Sequence, residues 1–394
     1  MRSGLRPVRT PWVRAQDARG LWRAHLVTGL TDRRVRVCLC LFALLGAMAV
    51  GVAVAVTRDP NPPFIAPPGA TSDLDFYGHV VARVRAGASY YEAAHAELRW
   101  HGYPSRSVFN WRTPVYAWVF GALPDESCCR ALLCVAVLVT LALNCSDMLC
   151  EVGLVPASIG GVFLIGATAW CVGRQDYLFT ELWAGMFIIL SLACLHRGWG
   201  ALGVAFGLFA LFFRELSVPY VLVALTSSWQ GRRRGETMAW AAGFLAFIAF
   251  MVAHAQAVEA RLTPADQPLL GGWVRFGGVQ FILTTSQANV FLMCLPLWCT
   301  AVYVPLAVAG LMWWHTPDGQ RVGATIAMYL AVFAVVGAPF NFYWGFLTAP
   351  LLALGIVHAP RALSDLLTTA LKPAPAGACS DGKRGTERNV MEKS

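Results

Sequence analysis

Two aspartates separated by one residue form the sharpest chemical feature of the chain. The segment Asp73-Leu74-Asp75-Phe76-Tyr77 follows the first long apolar run. Two carboxylates at this spacing can share a cation, or divide the roles of general acid and general base. A structural interpretation stands beside the chemical one, because Asp75 could instead cap a helix and accept bonds from its free backbone N–H groups. Both interpretations can hold together.

Two arginines could bind an anion. Arg174 and Arg214 are predicted to lie at the ends of apolar runs, where lipid phosphates are found. A guanidinium group matches a phosphate with two parallel hydrogen bonds. Arg214 could instead form an ion pair with Glu215 or Glu181, and either arginine could simply anchor the chain to lipid headgroups. The residue types leave these alternatives open.

The elements that must position these side chains are transmembrane helices. Of the 394 residues, 57% are hydrophobic and 13% are charged, whereas soluble domains carry roughly 25% charged residues. Because so little polar surface cannot form a water-facing shell, lipid is the predicted solvent. The net charge of +9 reflects arginines that flank apolar runs. That pattern sets membrane orientation and does not indicate nucleic acid as a partner.

The apolar runs predict an all-α, polytopic membrane protein of about ten transmembrane helices with a large extracytoplasmic first loop. Residues 1–36 are predicted to be a basic cytoplasmic segment, 37–358 the transmembrane domain and 359–394 a disordered cytoplasmic tail. The first loop, 57–128, is predicted to contain an amphipathic helical stretch over 76–100. The predicted spans lie near 37–56, 130–150, 155–173, 178–195, 199–213, 216–229, 237–255, 290–314, 321–338 and 343–358.

The segment 199–229 is predicted to be two short helices that meet at Arg214-Glu215. A single long helix would place two charges near the middle of the bilayer, which is costly. With this count, the positive-inside rule predicts cytoplasmic N- and C-termini. It also predicts the cytoplasmic side for His196-Arg197, Arg232-Arg233-Arg234 and Arg321.

This topology predicts that polar residues from separate segments share the outer level of the membrane. They are Asp73, Asp75, Arg174, Asp176, Glu181, Arg214, Glu215, Asn341, Tyr343 and Trp344. Taken one at a time, each could simply face water at a helix end, but the set together indicates a binding site. Tyr343 and Trp344 could stack on a sugar. They could equally belong to an aromatic belt that includes Trp111, Tyr116, Trp118, Trp183 and Tyr220.

No cofactor is indicated by the sequence. The cysteines lie mostly within apolar runs and form no paired CxxC motifs, so a zinc site built on cysteine has no support. His79, His95 and His101 show no recognised metal-ligand spacing, and we interpret them as solvated surface histidines. A divalent metal is possible but has no support in the sequence.

The layout resembles that of the GT-C superfamily of membrane glycosyltransferases, over residues 30–358. Asp75-Phe76-Tyr77 and Arg85-Ala86-Gly87-Ala88-Ser89-Tyr90-Tyr91 are similar to the first loop of polyprenyl-phosphate-mannose-dependent mannosyltransferases. Thr113-Pro114-Val115-Tyr116 resembles a proline–aromatic element before the second span of several branches. Two segments resemble a later hairpin of related bacterial lipid-modifying transferases, Phe213-Arg214-Glu215-Leu216 and Gly231-Arg232-Arg233-Arg234.

This resemblance implies a transferase that takes a sugar from a polyprenyl-phosphate donor and passes it to an extracytoplasmic lipid or glycan acceptor. Asp75 would be the base that accepts the acceptor's proton, while Arg214 or Arg174 would stabilise the departing lipid phosphate. The loop lacks a clear acidic pair further along the chain, so the resemblance supports no metal. Two alternatives remain: a transporter or flippase for a lipid-linked substrate, and a subunit without catalysis.

Overall fold

The fold is an assembly of helices. A computed structural model of the chain describes residues 46–47, 49–55, 72–269 and 271–371. Two compact units are distinguished, Gly46–Ala362 and a smaller one built from the two ends, of which Leu363–Leu371 is described. The helices are α1 Asp73–Arg85, α2 Tyr90–Trp100, α3 Val108–Trp111, α4 Val115–Ala122, α5 Glu126–Val152, α6 Leu154–Thr168, α7 Thr180–His196, α8 Gly200–Phe213, α9 Val218–Gln230, α10 Arg234–Glu259, α11 Gly278–Ser286, α12 Val290–Met293, α13 Leu297–Trp313, α14 Pro317–Val335, α15 Ala349–Ile356 and α16 Ala359–Leu371.

The prediction of an all-α membrane fold is confirmed. Three helical segments are long and apolar enough to cross a membrane, Glu126–Val152, Leu154–Val172 and Arg234–Glu259, and there are four if the bent pair α15–α16 counts as one span. These numbers apply to the residues described above. Large apolar side chains on α5 and α10, such as Leu138 and Leu245, remain exposed at 65% and 64%, as expected for surfaces that face lipid. The count of about ten spans stays a prediction.

Several predicted boundaries are wrong. The single span expected over 290–314 is interrupted between α12 and α13, because Pro296 cannot donate a helical hydrogen bond. The span expected over 343–358 begins as a 3-10 segment, Pro339–Leu347, and continues as α15. The short helix α11 was not predicted. The tail expected to be disordered from 359 is helical up to Leu371, and its remainder lies outside the described residues.

The first two helices of the first loop, α1 and α2, are both capped by serine side chains. Ser72 caps α1 in a reciprocal box with Asp75, and Ser89 caps α2 by accepting a hydrogen bond from the backbone N–H of Glu92. Gly87 separates the helices at a φ of +97°, a conformation that glycine adopts without a steric penalty. The amphipathic stretch predicted over 76–100 is therefore helical but divided in two. Residues 1–45, 48, 56–71, 270 and 372–394, which include about half of the predicted first span, lie outside the described residues, and the described residues 49–55 of that span are helical.

The break predicted within 199–229 is confirmed. Helix α8 ends at Phe213, Arg214 is extended, and α9 starts at Val218. The hydroxyl of Thr113 donates a hydrogen bond of 3.0 Å to the carbonyl of Phe213, one of the carbonyls that the end of α8 leaves free. The first loop thus contributes directly to the break that places Arg214.

Candidate functional site

Asp73 and Asp75 open helix α1. The carboxylate of Asp75 accepts hydrogen bonds from the backbone N–H and the hydroxyl of Ser72, at 3.1 Å and 2.9 Å. These bonds hold the pKa of Asp75 below its usual value. The carboxylate of Asp73 accepts a hydrogen bond of 2.5 Å from the hydroxyl of Tyr103. The capping role considered for Asp75 is present, although Ser72 is the N-cap and Asp75 lies at the third helical position.

A buried ionic cluster lies where α8 breaks. The Nε atom of Arg214 is 2.7 Å from Oε1 of Glu181, and Nη1 of Arg214 contacts Oε1 of Glu215. Arg214 and Glu181 are each only 1% exposed. Of the alternatives left open for Arg214, ion pairing therefore occurs with both glutamates. Glu181 is in position because α7 begins at Thr180, directly after the extended Phe179.

Arg112, which sequence reasoning missed, completes this cluster. Its Nε donates to the hydroxyl of Tyr77 at 2.7 Å, and its Nη2 donates to the hydroxyl of Tyr343 at 3.1 Å. The same Nη2 is 3.9 Å from Glu181. Arg112 is 7% exposed. Tyr77 belongs to the same helix as the two aspartates, so Arg112 links the start of α1 to the ionic cluster.

The backbone of Arg112 is strained. Its φ of +62° is uncommon for a residue with a Cβ, and such conformations cost about 1–3 kcal/mol. The hydroxyl of Tyr90 holds this conformation by donating to the carbonyls of Trp111 and Arg112. Strain maintained by surrounding contacts is frequent at functional sites. A signal existed in the sequence, because Arg112 is a lone arginine between Trp111 and the Thr-Pro element.

Of the three residues predicted near 341–344, two join the cluster. Asn341 donates from its side-chain amide to the hydroxyl of Tyr343 at 3.1 Å and accepts from the N–H of Ala338 at 2.9 Å. Trp344 instead packs its ring against Phe281 and Phe333. It is 3% exposed, so its predicted role in stacking on a sugar has no support from this position.

Two other predicted residues stay outside the cluster. Arg174 is exposed, and Asp176 is half-buried beside Gly173. Burial raises the pKa of Asp176. The described contacts connect neither residue to Arg112 or Arg214. The prediction that all ten outer residues form one site therefore does not hold for Arg174 and Asp176. Helix α6 is followed by a 3-10 turn, Ala169–Val172, and Arg174, just after this turn, faces solvent.

The aromatic belt was predicted wrongly for six of its seven members. Trp111, Tyr116, Trp183, Tyr220, Tyr343 and Trp344 are each at most 5% exposed, and only Trp118 faces outward at 48%. Two of these buried tryptophans have hydrogen-bond partners: Nε1 of Trp183 donates to the carbonyl of Tyr177, and Nε1 of Trp111 to that of Ser105. Nε1 of Trp344 has no partner among the described residues. Tyrosine and tryptophan side chains can therefore pack inside the protein as well as at a lipid surface.

The surface interpretation of the first-loop histidines is also wrong for two of the three. Nε2 of His95 donates to the carboxylate of Asp266 at 3.0 Å, and the side chain of His101 is fully buried. Burial opposes ionisation of Asp266, but bonds from Ser105, Thr263 and His95 outweigh it and hold its pKa well below the usual value. His79 remains exposed at 57% of its side chain.

The cluster contains groups that can bind an anion. Two guanidinium groups and two carboxylates are assembled from α7, the break after α8 and the turn before α4. Their formal charges balance. A phosphate would compete with Glu181 and Glu215 for the two guanidinium groups, because arginine forms charge-assisted contacts with both kinds of anion.

Comparisons with known proteins give a structural likeness only. No protein-family model and no curated protein matches the chain. Among solved structures, it is similar to two of ArnT from Cupriavidus metallidurans, one in the apo state and one bound to undecaprenyl phosphate. The identity is 15% in both, the TM-scores are 0.44 and 0.45, and the likeness covers 84% of this chain. It covers 62% of the ArnT chain, so the present chain spans less than two thirds of that protein's length.

Proposed function

We propose that the protein is a membrane glycosyltransferase, which transfers a sugar from a polyprenyl-phosphate donor to a lipid or glycan acceptor outside the cytoplasm. The observation that carries the proposal is the link between the aspartates and a buried pair of arginines. Tyr77 lies two residues after Asp75 and accepts from Arg112, which shares Glu181 with Arg214. The resemblance of the first loop to that of mannosyltransferases favours a hexose as the sugar.

In this proposal Asp75 is the base for the acceptor hydroxyl. Its pKa is held below the usual value, so the carboxylate is ionised at neutral pH and can accept a proton, but the low pKa also makes it a weaker base. A positioned base typically contributes about 10²–10⁴-fold to the rate. Asp73, engaged by the hydroxyl of Tyr103, orients the loop beside it.

Arg214 and Arg112 stabilise the departing lipid phosphate. Charge develops on the leaving oxygen as the sugar bond breaks, and donors already in place in a water-poor environment stabilise such charge most effectively. Both arginines are buried, and they lie at the ends of apolar helices, where the phosphate of a membrane-embedded donor is found. No cofactor is needed for this division of roles.

The base is tested by comparing Asp75→Asn with wild type in proteoliposomes that contain a polyprenyl-phosphate sugar. The asparagine keeps the size of the side chain but cannot accept the proton, so transfer is expected to fall by about 10²–10⁴-fold. Asp73→Asn is expected to lose less. Equal rates for wild type and Asp75→Asn would overturn the assignment.

Ser72→Ala is the matched control for helix capping. It removes the hydroxyl that completes the capping box, at a cost of about 0.5–2 kcal/mol, but leaves the carboxylate of Asp75. If Ser72→Ala loses as much transfer as Asp75→Asn, the aspartate acts through the helix and not through chemistry. Labelling of a cysteine at position 75 from the cytoplasmic side alone would contradict the proposed topology.

A flippase is the second candidate. It would require ionisable groups along a path through the membrane. On α7, Glu181 and His196 are the charged ends, and the fourteen residues between them are neutral. Transport of a lipid-linked sugar by the purified protein, without any transfer, would favour this candidate.

A further inference from the structure

A second polar cluster lies on the first loop, apart from the buried arginines. His79 is on α1, while Glu97 and His101 are on α2. One possible ligand atom from each residue lies within 4.8 Å of the other two. We propose that these three side chains bind a divalent transition-metal ion, with zinc as the best fit. This inference does not depend on the proposed transferase activity.

The spacing of the ligands suits zinc. Oε2 of Glu97 is 3.4 Å from Nδ1 of His79 and 3.6 Å from Nδ1 of His101. Ligands that share one tetrahedral zinc at bond lengths of roughly 2.0–2.1 Å lie about 3.3 Å apart. Glu97 and His101 are four residues apart and therefore share one face of α2. Two imidazoles and one carboxylate are a ligand set that zinc accepts readily.

His101 offers Nδ1 to the cluster. This nitrogen lies 3.6 Å from Oε2 of Glu97 and 2.9 Å from the backbone carbonyl of the same residue. Metal binding through Nδ1 requires the neutral tautomer that carries its proton on Nε2. The metal bond would then replace the hydrogen bond between Nδ1 and the carbonyl of Glu97.

The carboxylate of Glu97 is already oriented. Arg83 holds its Oε1 through Nε, while Oε2 remains directed towards the histidines. Carboxylates that bind metals commonly have such an outer partner, which fixes their orientation. The side chain of Arg83 is 53% exposed, so water screens the repulsion between its charge and a nearby cation.

The cluster is accessible from solvent. A cleft of about 370 Å³ is lined by His79, Ala82, Arg83, Glu97 and Trp100. A metal ion can enter by this route, and a water molecule can fill the fourth position. The site lies close to the aspartates, because the ring of His101 stacks on Tyr103, which donates to Asp73. A bound metal would therefore join α1 to α2 beside the proposed base.

The test is a calorimetric titration of zinc chloride into the purified full-length protein in detergent micelles, after treatment with a chelator. Wild type is expected to bind one zinc ion through His79, Glu97 and His101. His79→Ala and Glu97→Gln should each weaken binding at this site at least tenfold, since even the loss of an outer partner costs 10–100-fold. His79 is more than half exposed, so its replacement removes no packed side chain. Size-exclusion elution checks folding of Glu97→Gln.

His315→Ala is the control, because it removes an exposed histidine from the turn between α13 and α14. It should leave zinc binding unchanged. Absence of binding by wild type would overturn the proposal. It would also be overturned if His79→Ala bound zinc with the stoichiometry and affinity of wild type. A cobalt-loaded sample offers an independent readout, since tetrahedral coordination by nitrogen and oxygen gives visible absorption that His79→Ala should lose.

Discussion

The two ends of helix α7 carry charged clusters of different character. At its start, Glu181 pairs with Arg214, and both are 1% exposed. At its end, Arg197 donates to Asp147 at 2.7 Å, and His196 bonds to Asp318 at 2.9 Å. These four side chains are 16–25% exposed, whereas Arg321, which lies 3.1 Å from Asp318, is 2% exposed. The two clusters are separated by about 22 Å of apolar helix, at 1.5 Å per residue.

The two clusters differ in how much they can contribute to the free energy of unfolding. Partly exposed ion pairs contribute about 0–1 kcal/mol, whereas a fully buried pair often stabilises a protein less than apolar residues of similar volume would. The buried cluster at the start of α7 is therefore poorly explained by stability alone. Its position beside the strained Arg112 favours a role in binding. The partly exposed cluster is adequately explained as a clamp that holds α5, α7 and α14 together.

The largest effect is expected from breaking the buried cluster on one side. Arg214→Ala leaves Glu181 without its nearest positive partner, which should cost about 3–5 kcal/mol and impair use of the lipid donor. Compared with Arg214→Ala, Arg214→Lys should restore more of the stability than of the transfer activity. Lysine keeps the positive charge but lacks the planar guanidinium group that binds a phosphate with two hydrogen bonds. Thermal unfolding in micelles and the transfer assay measure the two effects. Unchanged donor use in Arg214→Ala would reduce this residue to a passive anchor.

Removing both partners separates stability from function. The double variant Arg214→Met with Glu181→Leu replaces the ion pair by apolar side chains of similar volume and leaves Arg112 and Glu215 balanced in charge. Its stability should recover part of the loss seen in Arg214→Ala, but not all of it, because Glu215 still lacks its contact with Arg214. Transfer stays lost. If transfer recovers together with stability, the pair is structural and the contrast between the two ends of α7 disappears.

The smallest effect is expected at the other end. Arg197→Ala removes the pair with Asp147, and the loss of stability should be about 1 kcal/mol or less. Transfer should not change, since the residue lies at the far end of α7. A loss of several kcal/mol, measured by the same unfolding experiment, would show that exposure does not distinguish the two clusters.

The sequence alone predicted the helical membrane class and the two helices over 199–229. These predictions succeed because each depends on local composition. A run of apolar residues indicates a helix in lipid, and a charged pair within such a run forces a break. His196 and Arg321, predicted to share one side, both contact Asp318. The cytoplasmic location of that side stays a prediction.

Only the tertiary structure decided which side chains meet. Arg112 joins Tyr77, Glu181 and Tyr343 although these residues are far apart in the chain, and no spacing rule predicts contacts of that kind. Most of the predicted aromatic belt proved to be interior, because an aromatic ring near a helix end can face protein as well as lipid. His79 meets Glu97 and His101 only because Gly87 allows α1 and α2 to pack together. Local sequence determines helices and their breaks, while the pairing of side chains depends on how those helices pack.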